Sequence, residues 1–281
     1  MNKIGERNEN TKLTKRLEDI GINREGILKL LKLRKRDCIV IYSSCMENLG
    51  TDASDFDIYV IREDVSECRT ELIDLDPHYY GLDNVAYLYL DVQYWSQNEL
   101  KRVIEKINKH KNIGFEELKT LHRLLVGEVL YGKSFLHENM LDITELQEVV
   151  KEKYSVISDG LLHDCIGLYQ NEELLGAIMC AREALKYAVC GYNASKGKIN
   201  LKAEKWSAKI FMQLDVSERE KTEYIKFMFG EVEYTIEYIE KLIIFVQDIL
   251  NKNLNFLGKK HWLYKENYLM LDESKDILYT I

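Results

Sequence analysis

The sequence predicts an α+β protein: an amino-terminal domain built on a short mixed β-sheet with helices on one side, followed by a carboxy-terminal α-helical bundle. Two observations lead there. Between Cys38 and Tyr94 the apolar residues cluster in short runs rich in Val, Ile, Tyr and Phe, the composition of strands. From about Phe115 they recur at three- and four-residue spacing over long stretches, as on helices that share a core. The domains expected are therefore 1–114 and 115–281, with the active site between them.

Taken in order, Leu13, Leu17 and Ile20, then Ile27, Leu28, Leu31 and Leu33, predict two short opening helices. Strands are predicted over Cys38 to Tyr42, Phe56 to Ile61 and Val85 to Tyr94. The last alternates Tyr87, Tyr89, Asp91, Gln93 against Leu88, Leu90, Val92, Tyr94, so it has two distinct faces. The helical half is carried by Leu118, Leu121, Leu125, by Leu174, Ile178, Ala181, Leu185, and by Ile236, Ile239, Ile243, Val246. Around Leu269-Met270-Leu271 and Ile277-Leu278-Tyr279 a terminal hairpin is expected, with no function assigned to it.

Composition narrows the function. The 281 residues are 46% hydrophobic, enough for a substantial core. With 39 basic against 47 acidic residues the net charge is −8, which repels a phosphate backbone and argues against nucleic acid as a partner. Six cysteines, with no C-x-x-C pair and mostly inside apolar runs, read as buried free thiols of a reducing compartment. No apolar stretch approaches the roughly 20 residues needed to span a bilayer. A cytoplasmic protein without a membrane partner is expected.

The chemistry concentrates in residues 39–61. In an extended strand Asp55 and Asp57 project from one face, with Phe56 and Ile58 on the other. Two carboxylates so close repel unless a cation neutralises them, and hard divalent ions prefer oxygen ligands, so Mg²⁺ is the expected cofactor. Asp91 interrupts an apolar and aromatic strand, where an unpaired carboxylate is costly to bury. If that strand lies beside the first, Asp55, Asp57 and Asp91 converge and suffice for two ions bridging an attacking hydroxyl and a nucleotide phosphate. Ser43 and Ser44 end the preceding strand and are expected to open a helix, where free N–H groups and hydroxyls hold phosphate oxygens.

Tyr42-Ser43-Ser44, then Asn48-Leu49-Gly50, then Ser54-Asp55-Phe56-Asp57-Ile58 resemble the signature of the DNA-polymerase-β-like nucleotidyltransferases. The spacing from Ser44 to Asp55 fits, and the later acid that the resemblance implies is supplied by Leu90-Asp91-Val92. Two positions depart from it: Ser43 and Asn48 stand where that family usually carries glycine. The segment from Ala181-Arg182 through Gly197 and Lys202 to Trp206 looks like the carboxy-terminal domain of aminoglycoside-type adenylyltransferases. That resemblance implies ATP as co-substrate and a phosphate contact from Lys202.

Gly127-Glu-Val-Leu-Tyr-Gly132-Lys133-Ser134 matches the phosphate-loop pattern G-x-x-x-x-G-K-[ST] letter for letter. Its flanks are wrong, because such a loop follows a strand and opens a helix, and residues 115–126 are helix-periodic. A helix running to Gly132, with Val129 and Leu130 in the core, is expected there instead. The six histidines show no H-E-x-x-H spacing, and no G-x-S-x-G elbow is present.

The function expected is Mg²⁺-dependent transfer of a nucleoside monophosphate, AMP from ATP, to a hydroxyl of a small cationic molecule such as an aminoglycoside-like antibiotic. The alternatives are modification of a protein or an RNA end, and a catalytically silent nucleotide-binding relative. Replacement of Asp55 or Asp57 by Asn is expected to abolish transfer and to hold or raise stability, by relieving repulsion.

Overall fold

The computed structural model describes residues 17, 23–51, 54–63, 65, 69–75, 88–109, 113–133, 135, 139, 141–199, 201, 204–254, 269–272 and 277–280. The chain divides into two compact units, Met1–Ile143 and Thr144–Ile281.

In the first unit, α1 (Arg24–Leu30) starts at Asn23, whose side chain accepts the Gly26 N–H. Leu17 is helical as well, and the rest of the earlier predicted helix lies outside the described residues. Then come β1 (Cys38–Tyr42), a single 3₁₀ turn (Ser44–Glu47), β2 (Phe56–Arg62), β3 (Arg69–Leu75), β4 (Leu88–Ser96), α2 (Gln97–Asn108), α3 (Phe115–Val126) and β5 (Glu128–Tyr131). The five strands form one sheet in the order β3-β4-β2-β1-β5. It is mixed, as expected: β2 and β4 are parallel, and the other pairs are antiparallel.

Every residue of β1 and β2 is buried. A sheet buried on both faces needs cover on both. Ile39, Ile41, Ile58, Val60, Leu90 and Val92 form one core face with Ile27 of α1. The alternate face carries Tyr42, Asp57 and Tyr59, and Arg123 of α3 reaches across it. Helices therefore flank both faces, where the sequence predicted one. Arg24 ties α1 to the sheet rim by donating from Nε to the Leu130 carbonyl at 2.9 Å.

Two further differences share a cause. The helix expected to reach Gly132 stops at Val126, with the Gly127 N–H donating to the Arg123 carbonyl at 2.8 Å. The chain then turns into β5, which pairs with β1 through Ile39↔Tyr131, Val40↔Val129 and Ile41↔Glu128. A Cβ at residue 127 would lie 2.6 Å from Val40 Cγ1 and 2.8 Å from the Ile41 carbonyl, so only glycine lets the helix end this close to β1. Because β5 completes the sheet, residues 115–131 belong to the first unit. The seam lies after Ile143 and not at residue 114.

The second unit contains α4 (Ile143–Gln170), α5 (Leu174–Ser195), α6 (Glu204–Gln213), α7 (Glu218–Phe229) and α8 (Ile236–Leu254), then β6 (Leu269–Asp272) antiparallel to β7 (Ile277–Thr280), the hairpin expected. Its core is organised on α5, where Ala177, Ala181, Ala184 and Ala188 are fully buried along one stripe. These small residues pack with Ile239, Leu242, Ile243 and Val246 of α8. Among the described cysteines none is in a disulfide, and Cys38, Cys165 and Cys190 are buried. Burial pushes the Cys165 thiol up to about 12, with a smaller contribution from Cys180. Among the described residues no helix is long and apolar enough to cross a membrane.

Away from the candidate site, a buried ion pair anchors the start of β1. Arg62 Nη2 donates to Asp37 Oδ2 at 2.9 Å and to the Lys32 carbonyl at 2.6 Å. Both side chains are almost fully buried. Removing one partner leaves the other charged and dry, so Asp37→Ala should lower the unfolding free energy by about 3–5 kcal/mol. Urea denaturation measures this, and a loss under about 1 kcal/mol would contradict the pair's structural role.

Candidate functional site

The site is built on one row of the sheet. Tyr42, the last residue of β1, is the register partner of Asp57 on β2, and Asp57 is the register partner of Asp91 on β4. Residues directly opposite each other on neighbouring strands share a face about 5 Å apart. Asp57 and Asp91 are thereby brought together. Asp55 precedes β2 and is exposed.

Ser43 follows Tyr42 and leads into the 3₁₀ turn. It is 0% exposed, and its Oγ has no hydrogen-bond partner among the described residues. Ser44 holds the turn closed, its carbonyl accepting from Leu49 N and Gly50 N at 3.1 Å each. The turn ends at Asn48 with φ 62°, a left-handed conformation that glycine and asparagine tolerate best. Asn at this position is thus accounted for by backbone geometry. The helix expected after Ser44 is one tight turn.

The carboxylates have unlike surroundings. Asp57 is buried, and its Oδ1 accepts from Arg123 Nη1 at 2.6 Å; the same nitrogen donates to the Tyr59 hydroxyl at 3.0 Å. The guanidinium carbon also lies 5.1 Å from the centre of the Tyr42 ring. Burial works against the Arg123 charge, but Tyr59 and Asp57 outweigh it and hold its pKa above the ordinary value, so it is a permanent cation. Burial, and then Glu47, raise the Tyr42 phenol far above its usual range. Burial likewise raises Tyr59, so both hydroxyls stay protonated at any working pH. Tyr42 donates to Glu47 Oε2, and His122 Nε2 lies 3.3 Å from Glu47 Oε1. Asp91 differs from Asp57: its Oδ1 is buried and has no hydrogen-bond partner among the described residues.

Among the described residues no three His, Cys, Asp or Glu side chains are placed to hold a metal ion, so Asp55, Asp57 and Asp91 do not close on one point. The Asp57 and Asp91 pair nonetheless fits a hard cation in its chemistry, because an orphaned buried carboxylate oxygen beside a second carboxylate is an oxygen-donor set. Sequence reasoning did not find Arg123. Its signal was present as Leu121-His122-Arg123-Leu124, two polar residues within the apolar run of a predicted helix, and all four are buried.

Lys202 lies outside the described residues. Arg182 of α5 donates to the Gly230 carbonyl at 2.9 Å, a tie inside the second unit. Gly197 turns the chain with φ 76°, and Trp206 lies on α6. The phosphate-loop pattern is not a loop. Four of its residues form β5, and Gly132 follows with φ 74°.

No family model matches the sequence, and no curated protein matches it. Among solved structures the chain is similar to a nucleotidyltransferase-like protein from Exiguobacterium sibiricum 255-15. The identity is 12% and the TM-score 0.48, over 93% of this chain and 85% of that one. At that distance the likeness decides neither family nor activity.

The pairing of Asp57 reverses one expectation. Asp57→Asn does not relieve repulsion, because the carboxylate is neutralised by Arg123 in a buried pair. It should destabilise the protein by about 3–5 kcal/mol in urea unfolding, whereas Asp55→Asn, at an exposed site, should change stability by less than about 0.5 kcal/mol. Equal effects would refute the assignment. Ser43→Ala removes an unsatisfied buried hydroxyl and should raise unfolding free energy by about 1 kcal/mol. A loss of that size would show that the hydroxyl is bonded within the protein.

Proposed function

We propose that the first unit is a nucleotidyl-transfer site that moves a nucleoside monophosphate from a nucleoside triphosphate, ATP by the resemblance of the helical half, to a hydroxyl of a small cationic acceptor. One observation carries this reading. The buried Asp91 Oδ1 atom, on the residue level with Asp57, has no hydrogen-bond partner among the described residues. Native proteins satisfy nearly all such atoms, so an orphan beside a second carboxylate is best explained by a bound group. An acceptor carboxylate suits a cation or a proton.

In this reading Asp57 and Asp91 would hold Mg²⁺. The ion, when bound, offsets the negative charge of the triphosphate. Ser43 and the amides of the turn orient the phosphates. The acceptor hydroxyl gives its proton to the Asp91 carboxylate as its oxygen bonds to the α-phosphorus. The bond from that phosphorus to the bridging oxygen breaks, and pyrophosphate leaves. The net charge of −8 favours a cationic acceptor.

A second reading has its own observation. Arg123 already neutralises Asp57, which suits a silent relative that binds nucleotide without turning it over. Pyrophosphate release, measured with Mg²⁺, each nucleoside triphosphate and a panel of aminoglycoside, peptide and RNA acceptors, separates the two. The transfer reading expects release with one acceptor class and a fall of about 10²–10⁴-fold in Asp91→Asn. Undiminished release in both Asp57→Asn and Asp91→Asn would overturn it, and nucleotide binding without release under any condition would favour the silent relative.

A further inference from the structure

Arg123 stands where a cation facing Asp57 would stand. Its Nη1 is 2.6 Å from Asp57 Oδ1, and the two side chains are 3% and 5% exposed. Two positive charges against one carboxylate oxygen repel each other, and a site this poor in water screens that repulsion weakly. The guanidinium is also held from a second direction. The Tyr42 ring lies 5.1 Å from its carbon, a distance at which an aromatic face attracts a cation, and the Tyr42 hydroxyl donates to an acid, Glu47. Asp91 Oδ1 has no partner among the described residues, so it is the oxygen an incoming ion meets without displacing any of them.

We infer that Arg123 is the resident counter-ion of the carboxylate pair, and that a divalent cation reaches Asp57 only by displacing it, so that Arg123 sets the cation affinity of the site. This rests on the reading of Asp57 and Asp91 as a cation-binding pair. The ion contacts Asp91 first. The guanidinium then yields Asp57 and keeps its place against the Tyr42 ring, turning toward Glu47. Tyr59 is a positioning residue here, because its hydroxyl accepts from the same nitrogen that holds Asp57 and so fixes Arg123 in the blocking position. The arrangement makes an empty site stable without metal and raises the metal concentration needed to fill it.

The test is Mn²⁺ binding to the full chain, followed by loss of the free-ion electron paramagnetic resonance signal, in wild type, Arg123→Gln, Tyr59→Phe and Asp91→Asn. Arg123→Gln should bind Mn²⁺ at least tenfold more tightly than wild type. Its melting temperature should be lower without the ion and should rise further on saturation than that of wild type. Tyr59→Phe should tighten binding severalfold, and it decides the matter if Arg123→Gln fails to fold. Asp91→Asn should lose binding. If wild type binds Mn²⁺, Asp91→Asn does not, and neither Arg123→Gln nor Tyr59→Phe changes affinity by more than twofold, the role of Arg123 is overturned while the carboxylate pair stands. If no form binds Mn²⁺ at millimolar concentration, or Asp91→Asn binds as wild type does, the carboxylate pair itself fails and the inference with it.

Discussion

The parallel pairing of β2 with β4 is the constraint on which the site depends. It sets Asp57 level with Asp91, and the antiparallel pairing of β1 with β2 sets Tyr42 beside them. Side chains alternate along a strand, so a slip of one residue in either pairing would send a carboxylate into the apolar face lined by Ile41, Ile58 and Val92. The centre of that face, from Ile39 and Ile41 through Ile58 and Val60 to Leu90 and Val92, is buried and apolar. The register is therefore enforced by the hydrophobic core on one side of the sheet, and the polar row on the other side inherits its geometry.

What the core cannot supply is neutrality. Two carboxylates side by side, Asp57 buried and Asp91 half-buried, need positive charge, and α3 delivers it through Arg123. The helix is held at the right height by Gly127, which lets its last turn rest on the backbone of β1, and by β5, which follows at once and pairs with the same strand. Sheet, helix end and ion pair are parts of one arrangement. Tyr59 and Tyr42 line it with hydroxyls that stay protonated, so Arg123 and the acids carry the charge.

Much of this was legible in the sequence, for a local reason. The strands β1, β2 and β4 are dense in Val, Ile and Tyr, and Asp57 and Asp91 stand out against them. Asn48 fits its left-handed turn through its own side-chain chemistry. The terminal hairpin and the helical half follow from periodicity. The features that escaped are those made by distant partners. β3, with Arg69, Glu71 and Asp74 among its seven residues, is an edge strand whose Leu72 remains exposed, so it lacks the apolar density of the central strands. β5 is four residues long, hides inside a phosphate-loop look-alike, and exists only because β1 is there to pair with it. The second helical layer and the Asp57–Arg123 contact are likewise tertiary. Neighbouring letters do not encode which acid a helical arginine meets.

The position of β5 has a consequence for how this chain can be divided. β1 lies inside the sheet only because a strand encoded almost ninety residues later covers its outer edge. A fragment cut at residue 114 would keep every acidic residue of the site yet present β1 as an open, wholly apolar edge of Cys-Ile-Val-Ile-Tyr. Such an edge is a template for pairing with another copy, so the shorter piece is prone to self-association. During synthesis the same edge stays open until residue 131 has emerged, which makes the late strand β5 the natural guard against aggregation of the nascent protein.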